Sequence, residues 1–186
     1  AGIIDLDIVV DAKSGVSGAG RKSEIKNLFS EVNENAFGYS VDGHRHLPEI
    51  TQELGRIAGA KSPKVLFVPH LIPITRGILA SCYAPLGDRL ALNRDAKKAE
   101  VKEIYADLYR GEPFVKVVAS PPMTKQTLGS NACLVYPTVD VRTNQLIVIS
   151  CIDNLVKGAA GQAVQNMNSM LGMAETMGLD QLALYP

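Results

Sequence analysis

Residues 133–141 and 146–152 read Cys-Leu-Val-Tyr-Pro-Thr-Val-Asp-Val and Leu-Ile-Val-Ile-Ser-Cys-Ile, with only the segment from Arg142 to Gln145 around their junction. Two such apolar runs joined by a short polar turn are a hairpin signature. A hairpin commits its two strands to antiparallel pairing, so this part of any sheet is settled locally. Three more stretches read as strands: Ile3 to Val10, Val65 to Leu71 and Gly77 to Ala84. A short one follows from Phe114 to Ala119.

Helical spacing appears between them. Leu47 to Gly59 places Leu47, Ile50, Leu54, Ile57 and Ala58 on one face, and Gly59 is a natural stop. Asp95 to Tyr109 alternates an apolar side (Ala99, Val101, Ile104, Tyr105, Leu108) with a charged, solvated one. Glu24 to Phe29 is a weaker helix that soon meets Asn33-Glu-Asn35. From Gly158 a helix of small residues and methionines begins, with an apolar strip on Ala159, Ala163, Met167, Met170 and Leu171. Gly158 and Gly161 weaken an isolated helix and suit a backbone packed very closely against a neighbour. The plain reading of the methionines is core packing.

A chain of 186 residues holds one good core, or one domain with an appendage. Hydrophobic residues at 46% and charged ones at 20% are ordinary for a globular protein. The formal net charge is zero, which argues against nucleic acid or an anionic membrane as the main partner. No apolar run is long enough to span a bilayer, and no leader peptide is visible. The chain opens inside an apolar segment without Met, which reads as a fragment or a processed chain. Cys82, Cys133 and Cys151 are odd in number and sit in apolar runs. Buried reduced thiols of this kind suit a cytosolic compartment.

Chemistry concentrates in Val41-Asp-Gly-His-Arg-His-Leu-Pro-Glu-Ile50. In an extended segment His44 and His46 point the same way. Pro48 opens a helix, and Glu49 lies near the positive end of its dipole. A histidine beside a carboxylate serves proton transfer near neutral pH. The same three side chains also suit helix capping, or a metal site with His70 as a further ligand. All three readings stay open on these residues alone.

Asp11 to Ser23 is glycine-rich and follows a strand, so it is a place to cradle phosphate. Gly15 and Gly20 have P-loop separation, but Arg21 and Lys22 occupy the positions where Lys and Ser/Thr belong. A P-loop is rejected; an anion-binding loop and a plain surface loop both remain. Arg76, at a strand start, suits a carboxylate or phosphate clamp, or a surface ion pair. Asn154 and Lys157 stand just before the last helix, where an anion or polar cofactor group binds.

Several stretches together resemble one family. They are Lys13-Ser-Gly-Val-Ser-Gly-Ala-Gly-Arg21, Glu31 to Asn35, Gly43-His-Arg-His-Leu-Pro-Glu49, Pro69-His-Leu with Arg76-Gly77, and Asp153-Asn-Leu-Val-Lys-Gly-Ala-Ala-Gly-Gln to Asn168. They resemble N-acetyl-gamma-glutamyl-phosphate reductase, in order, through nearly the whole chain. The resemblance implies an NADPH-dependent conversion of N-acetyl-L-glutamyl 5-phosphate to the 5-semialdehyde plus phosphate, in arginine biosynthesis. It implies a cysteine thioester with His46 as acid and base, and His44 and Glu49 in support. Ser14, Gly15 and Asn154 fall on the nicotinamide side, and Arg21 and Arg76 on substrate anions. No metal is expected.

The family's dinucleotide-binding half and its Asn-Pro-Gly-Cys nucleophile segment have no counterpart here. The resemblance therefore implies a carboxyl-terminal part, inactive alone. Its fold is expected to be α/β in the α+β sense, like the C-terminal domain of glyceraldehyde-3-phosphate dehydrogenase. That means a mainly antiparallel mixed sheet with helices on one face. Residues 1–157 form the catalytic and dimerisation domain, and residues 158–186 a helix and tail belonging against the cofactor domain. A cytoplasmic homo-oligomer, dimer or tetramer, is expected. A metal-dependent hydrolase and a pure dimerisation module are the alternatives.

Overall fold

In the computed structural model, residues 2–22, 24–59, 62–87 and 94–185 are described, the backbone alone for 94–96. The elements in chain order are β1 (Asp7–Ser14), α1 (Phe29–Val32), β2 (Phe37–Gly38), α2 (Leu47–Ile57), β3 (Lys64–Leu71), β4 (Ile78–Pro85), α3 (Arg94–Leu108), β5 (Val115–Val117), β6 (Cys133–Asp140), β7 (Gln145–Ile152) and α4 (Gly161–Met170). The strands form one sheet in the order β2-β3-β1-β4-β7-β6-β5. β1 with β3 and β5 with β6 are parallel, and the other four pairings are antiparallel. The expected mixed, mainly antiparallel sheet is the one observed.

Register explains why the helices share a face. Phe67, Val10, Cys82, Val148 and Pro137 are successive cross-strand partners, and partners point the same way. On that face Val139 and Leu146 form the core with Val101, and Tyr105 and Val148 pack around it. The His44 ring packs edge-on to Phe67, with centroids 5.2 Å apart, so the approach to α2 lies on the same side. The next row, Leu66, Val9, Tyr83, Ile147 and Thr138, faces the other way. No described helix covers it where Leu66 is 55% and Val9 36% exposed.

Several boundaries differ from the sequence reading. The first strand is Asp7–Ser14 rather than Ile3 to Val10; Ile4 makes only a bridge to Leu86. The pairing with β3 and β4 carries β1 into the polar residues. Asp11 and Lys13 are tolerated on the open face because they pair with each other at 2.6 Å. The expected helix over Glu24 to Phe29 is a 3₁₀ turn at Ile25–Asn27 followed by the single turn of α1. In α2, Ile57 is exposed and does not join the buried side. The last helix does not run evenly from Gly158: residues Val156–Ala160 form a π-helical turn before α4.

The strip on the final helix lies open. Met170 is 85% and Leu171 66% exposed, and Met167 is exposed too. Core packing does not account for these methionines among the described residues. Beyond α4 the tail turns back to the sheet, where Leu179 is buried and the Leu184 N–H donates to the Leu128 carbonyl.

Candidate active site

The expected site residues fall into three neighbouring groups. His44, His46 and Glu49 stand at the start of α2. His46 is the residue before the helix, Pro48 lies in its first turn, and Glu49 follows three residues after His46, on the same side. The His44 ring is held edge-on by Tyr39, His46 and Phe67 at 5.6, 4.9 and 5.2 Å. Its Nδ1 accepts the His46 backbone N–H at 3.2 Å, which leaves Nε2 as the free nitrogen. Burial, with the charges of His46 and Arg45, holds the His44 imidazole below the ordinary histidine value. The His46 and Glu49 side chains are exposed. A fixed imidazole thus stands beside an accessible one.

His70 does not join them. Its position, three residues from Phe67, puts it on the opposite face of β3. There its Nδ1 lies 3.0 Å from the Asp11 carboxylate, in a geometry too bent for a hydrogen bond. Among the described residues no three His, Cys, Asp or Glu side chains cluster to hold a metal ion.

The second group forms where the carboxyl end of β1, the start of β4 and the end of β7 meet. Gly15 crosses so close to Thr75 and Arg76 that only glycine fits without displacing backbone. Its N–H donates to the Gly77 carbonyl at 2.8 Å. Asn154, 137 residues from Ser17, reaches back to it: Nδ2 donates to Ser17 Oγ at 2.9 Å while Oδ1 accepts the Gly77 N–H at 2.7 Å. A side chain at Gly18 would stand 3.4 Å from Asn154 Nδ2 and 3.6 Å from Ser14 Oγ. The structure therefore brings Ser14, Gly15 and Asn154 together, with Gly18 between Asn154 and Ser14. Ser14 and Phe67 lie on one face of the sheet. Leu71, the β3 partner of Ser14, is four residues from Phe67, about 13 Å along the strand.

Arg76 stands in this second group. Its Nε donates to Asp153 Oδ1 at 2.9 Å. Asp153 is fully buried and also accepts the N–H groups of Gly129 (2.7 Å), Leu155 (2.8 Å) and Val156 (2.9 Å). Burial alone pushes this carboxyl up, but the four donors outweigh it and hold it below the usual carboxylate range. Asp153 and Ser17 were not singled out in the sequence. The available signal was an Asp at a strand end just before a helix, the usual place of a capping residue.

Arg21 belongs to a third place. It lines a pocket of about 610 Å³ between the 16–33 segment and Pro73–Thr75, with Ser17, Asn27, Phe29 and Ile74. Glu24 holds Lys22 and Lys26 at 3.0 Å each, whereas Arg21 has no ion pair among the described residues. Ser23, the residue out of P-loop register, lies outside the described residues.

The cysteines make poor nucleophiles. Burial pushes the Cys82 and Cys151 thiols up to about 11, and raises Cys133 as well. Lys157 also serves structure: its Nζ donates to Gln165 at 2.6 Å and lies over the Phe114 ring.

A mixed, mainly antiparallel sheet with helices on one face is the dimerisation-domain fold of the semialdehyde dehydrogenases. Residues 1–154 match the family model described as semialdehyde dehydrogenase, dimerisation domain, and the chain belongs to that family. Its sequence relatives are N-acetyl-gamma-glutamyl-phosphate reductases. One from Dehalococcoides mccartyi strain BAV1 is 54% identical over 184 residues, covering 99% of this chain and 52% of the relative. That from Pelotomaculum thermopropionicum is 53% identical over 181 residues, covering 96% and 50%. The chain thus spans about half the length of the curated relatives it matches. Among solved structures, aspartate semialdehyde dehydrogenase II from Vibrio cholerae superposes with a TM-score of 0.66 at 18% identity, over 92% of this chain and 56% of that one. A probable aspartate-semialdehyde dehydrogenase from Pseudomonas aeruginosa gives 0.65 at 14%, over 89% and 55%. These likenesses establish the fold. Among the described residues no helix is long and apolar enough to cross a membrane.

Proposed function

We propose that this chain is the proton-transfer and subunit-pairing half of an NADPH-dependent reductase. The reductase converts N-acetyl-L-glutamyl 5-phosphate to the 5-semialdehyde with release of phosphate, a cytoplasmic step of arginine biosynthesis. The observation that carries this reading is the 54% identity over 184 residues, 99% of the chain.

In this reading His46 is the acid and base. Its ring is open to a reactant, and His44 Nδ1 fixes its backbone. Glu49, three residues along on the same side of α2, is a supporting group at the substrate. Attack on the acyl phosphate is made by a cysteine outside these residues, since the three thiols present are held protonated. The leaving phosphate carries away its bridging oxygen and leaves a thioester; after hydride addition His46 protonates the carbonyl oxygen, then removes that proton as the carbon–sulfur bond breaks, releasing the aldehyde and returning the thiolate. Arg21 and Arg76 hold substrate anions.

The cofactor's nicotinamide fits the second group. Asn154 Oδ1 is committed to Gly77 and one Nδ2 hydrogen to Ser17, leaving one N–H to donate to a carboxamide oxygen. Ser14 and Gly18, beside the Asn154 amide, border that cradle, and Gly15 backs it against Thr75 and Arg76. The bound cofactor supplies hydride. The exposed strip of α4 and residues 158–186 pack against the cofactor domain, and copies of the chain pair through the open sheet face within a dimer or tetramer.

The test follows reduced cofactor appearing from N-acetylglutamate semialdehyde, phosphate and NADP. The chain alone is expected to be inactive, and activity to appear when the amino-terminal half is supplied. His46→Ala in that complete enzyme loses about 10²–10⁴-fold in kcat. Turnover by the chain alone, or full activity of His46→Ala, overturns the assignment.

A further inference from the structure

Arg76 and Asn154, the candidate anion and cofactor contacts, share one organiser. Asp153 has no exposed surface, yet its carboxylate binds three separate segments. Oδ2 takes the Gly129 N–H from the loop before β6. Oδ1 takes Arg76 Nε and the Leu155 and Val156 N–H groups at the start of the π-helical turn. The next residue, Asn154, bonds Gly77, the residue after Arg76. Arg76 and Asn154 are thereby held on both sides of one buried charge.

The manner of this contact matters. An arginine paired side-on with a carboxylate spends Nε and one Nη together. Here the pair is made through Nε alone, and neither Nη has a hydrogen bond among the described residues. Arg76 is about one-third exposed, so its outer fork faces outward. Two parallel N–H groups from the Nη atoms match the two oxygens of a carboxylate or phosphate. A surface pair would leave Arg76 a wide choice of rotamers; the buried anion on Nε leaves few.

We infer that Asp153 is a positioning residue that locks the Arg76 guanidinium with its Nη fork free as the receptor for a substrate oxyanion. This rests on the reading of the site as a reductase, but only in naming the oxyanion as part of the substrate. Lysine does not replace Arg76, because a point charge lacks the fork. Asparagine does not replace Asp153: its one oxygen cannot serve both Gly129 and the Oδ1 donors.

The guanidinium Nε–H of Arg76 is directly observable by ¹H–¹⁵N NMR. In the 186-residue chain this signal is expected to be protected from exchange and to shift on titration with inorganic phosphate or N-acetylglutamate. The two probes distinguish phosphate from carboxylate recognition. Asp153→Asn should remove the protection and weaken binding about tenfold or more. Arg76→Lys, which keeps the charge, should weaken it to a similar extent. In the completed enzyme Asp153→Asn should raise KM for the anionic substrate more than it lowers kcat. Unchanged binding in either variant overturns the inference, as does absence of binding by the wild-type chain. If Asp153→Asn does not fold, Arg76→Lys decides. Anion binding that depends on both residues, in a completed protein without reductase turnover, would refute the proposed function and leave this inference standing.

Discussion

Replacing Gly15 by alanine sets two effects of comparable size against each other. Gly15 has φ −74° and ψ 155°, a conformation alanine adopts freely. The narrower unfolded ensemble then favours alanine by about 0.4–1 kcal/mol. Against this, the added Cβ would lie 2.8 Å from the Arg76 nitrogen and the Thr75 oxygen, and 2.9 Å from the Thr75 carbonyl carbon. Carbon contacts settle near 3.5–4.0 Å, so the two backbones must part by roughly 0.7 Å. Three hydrogen bonds span this crossing: Gly15 to Gly77 (2.8 Å), Val16 to Ile74 (3.0 Å) and Ser17 to Thr75 (3.1 Å). Parting the strands stretches all of them beyond useful length, at about 1 kcal/mol each. The steric effect wins, and Gly15→Ala destabilises the fold by about 2 kcal/mol. For a chain of 186 residues that lowers Tm by about 4–8 °C. Urea unfolding followed by circular dichroism, with a thermal scan, measures it. An unchanged or raised midpoint would show that the crossing has slack and that glycine is not required there for packing.

Other consequences can be measured separately. Asp153, held below its usual range, stabilises the fold fully above the unfolded carboxyl value of 3.8, and this is lost as pH falls through the lower folded value. The stability gap between wild type and Asp153→Asn should therefore narrow from about pH 5 to pH 2; a constant gap would exclude the linkage. Cys82 and Cys151, with thiols near 11, should react with iodoacetamide at pH 8 about a hundredfold more slowly than a free cysteine, and normally in urea. Rapid labelling of the native chain would return a nucleophile to these residues. On the open sheet face, Leu66→Asp should convert a dimer to a monomer in sedimentation, because Leu66 and Val9 are the apolar surface left uncovered. A dimer that survives this change pairs elsewhere.

Much of the sheet was legible because its signals are local. The hairpin over 133–152, the strand ending at Leu71 and the helix opening at Pro48 appear where spacing and turn chemistry put them. Strand extent was less legible. β1 runs to Ser14 through Asp11 and Lys13, which read as loop until a neighbouring strand on each side supplies their hydrogen bonds. The π-helical turn was not legible, although Asp153 and Gly161, which shape it, stand in the sequence. It follows from Asp153 capping Leu155 and Val156, and from Gly161 fitting against Asn131 and Val156 where a Cβ would overlap both.

The candidate site divides the same way. His44, His46 and Glu49 lie within six residues, so sequence alone places them together at a helix start. That His44 is fixed by Phe67 while His70 turns away to Asp11 follows from the alternation of β3, which became decisive only once its faces were assigned. Ser17 with Asn154, and Arg76 with Asp153, are separated by 137 and 77 residues. No local pattern encodes such partners; they meet because the end of β1, the start of β4 and the end of β7 lie side by side in the sheet. The residues determined which chemistry is available. The order of the strands decided which of those groups touch, because hydrogen bonds and burial depend on distance in space rather than along the chain.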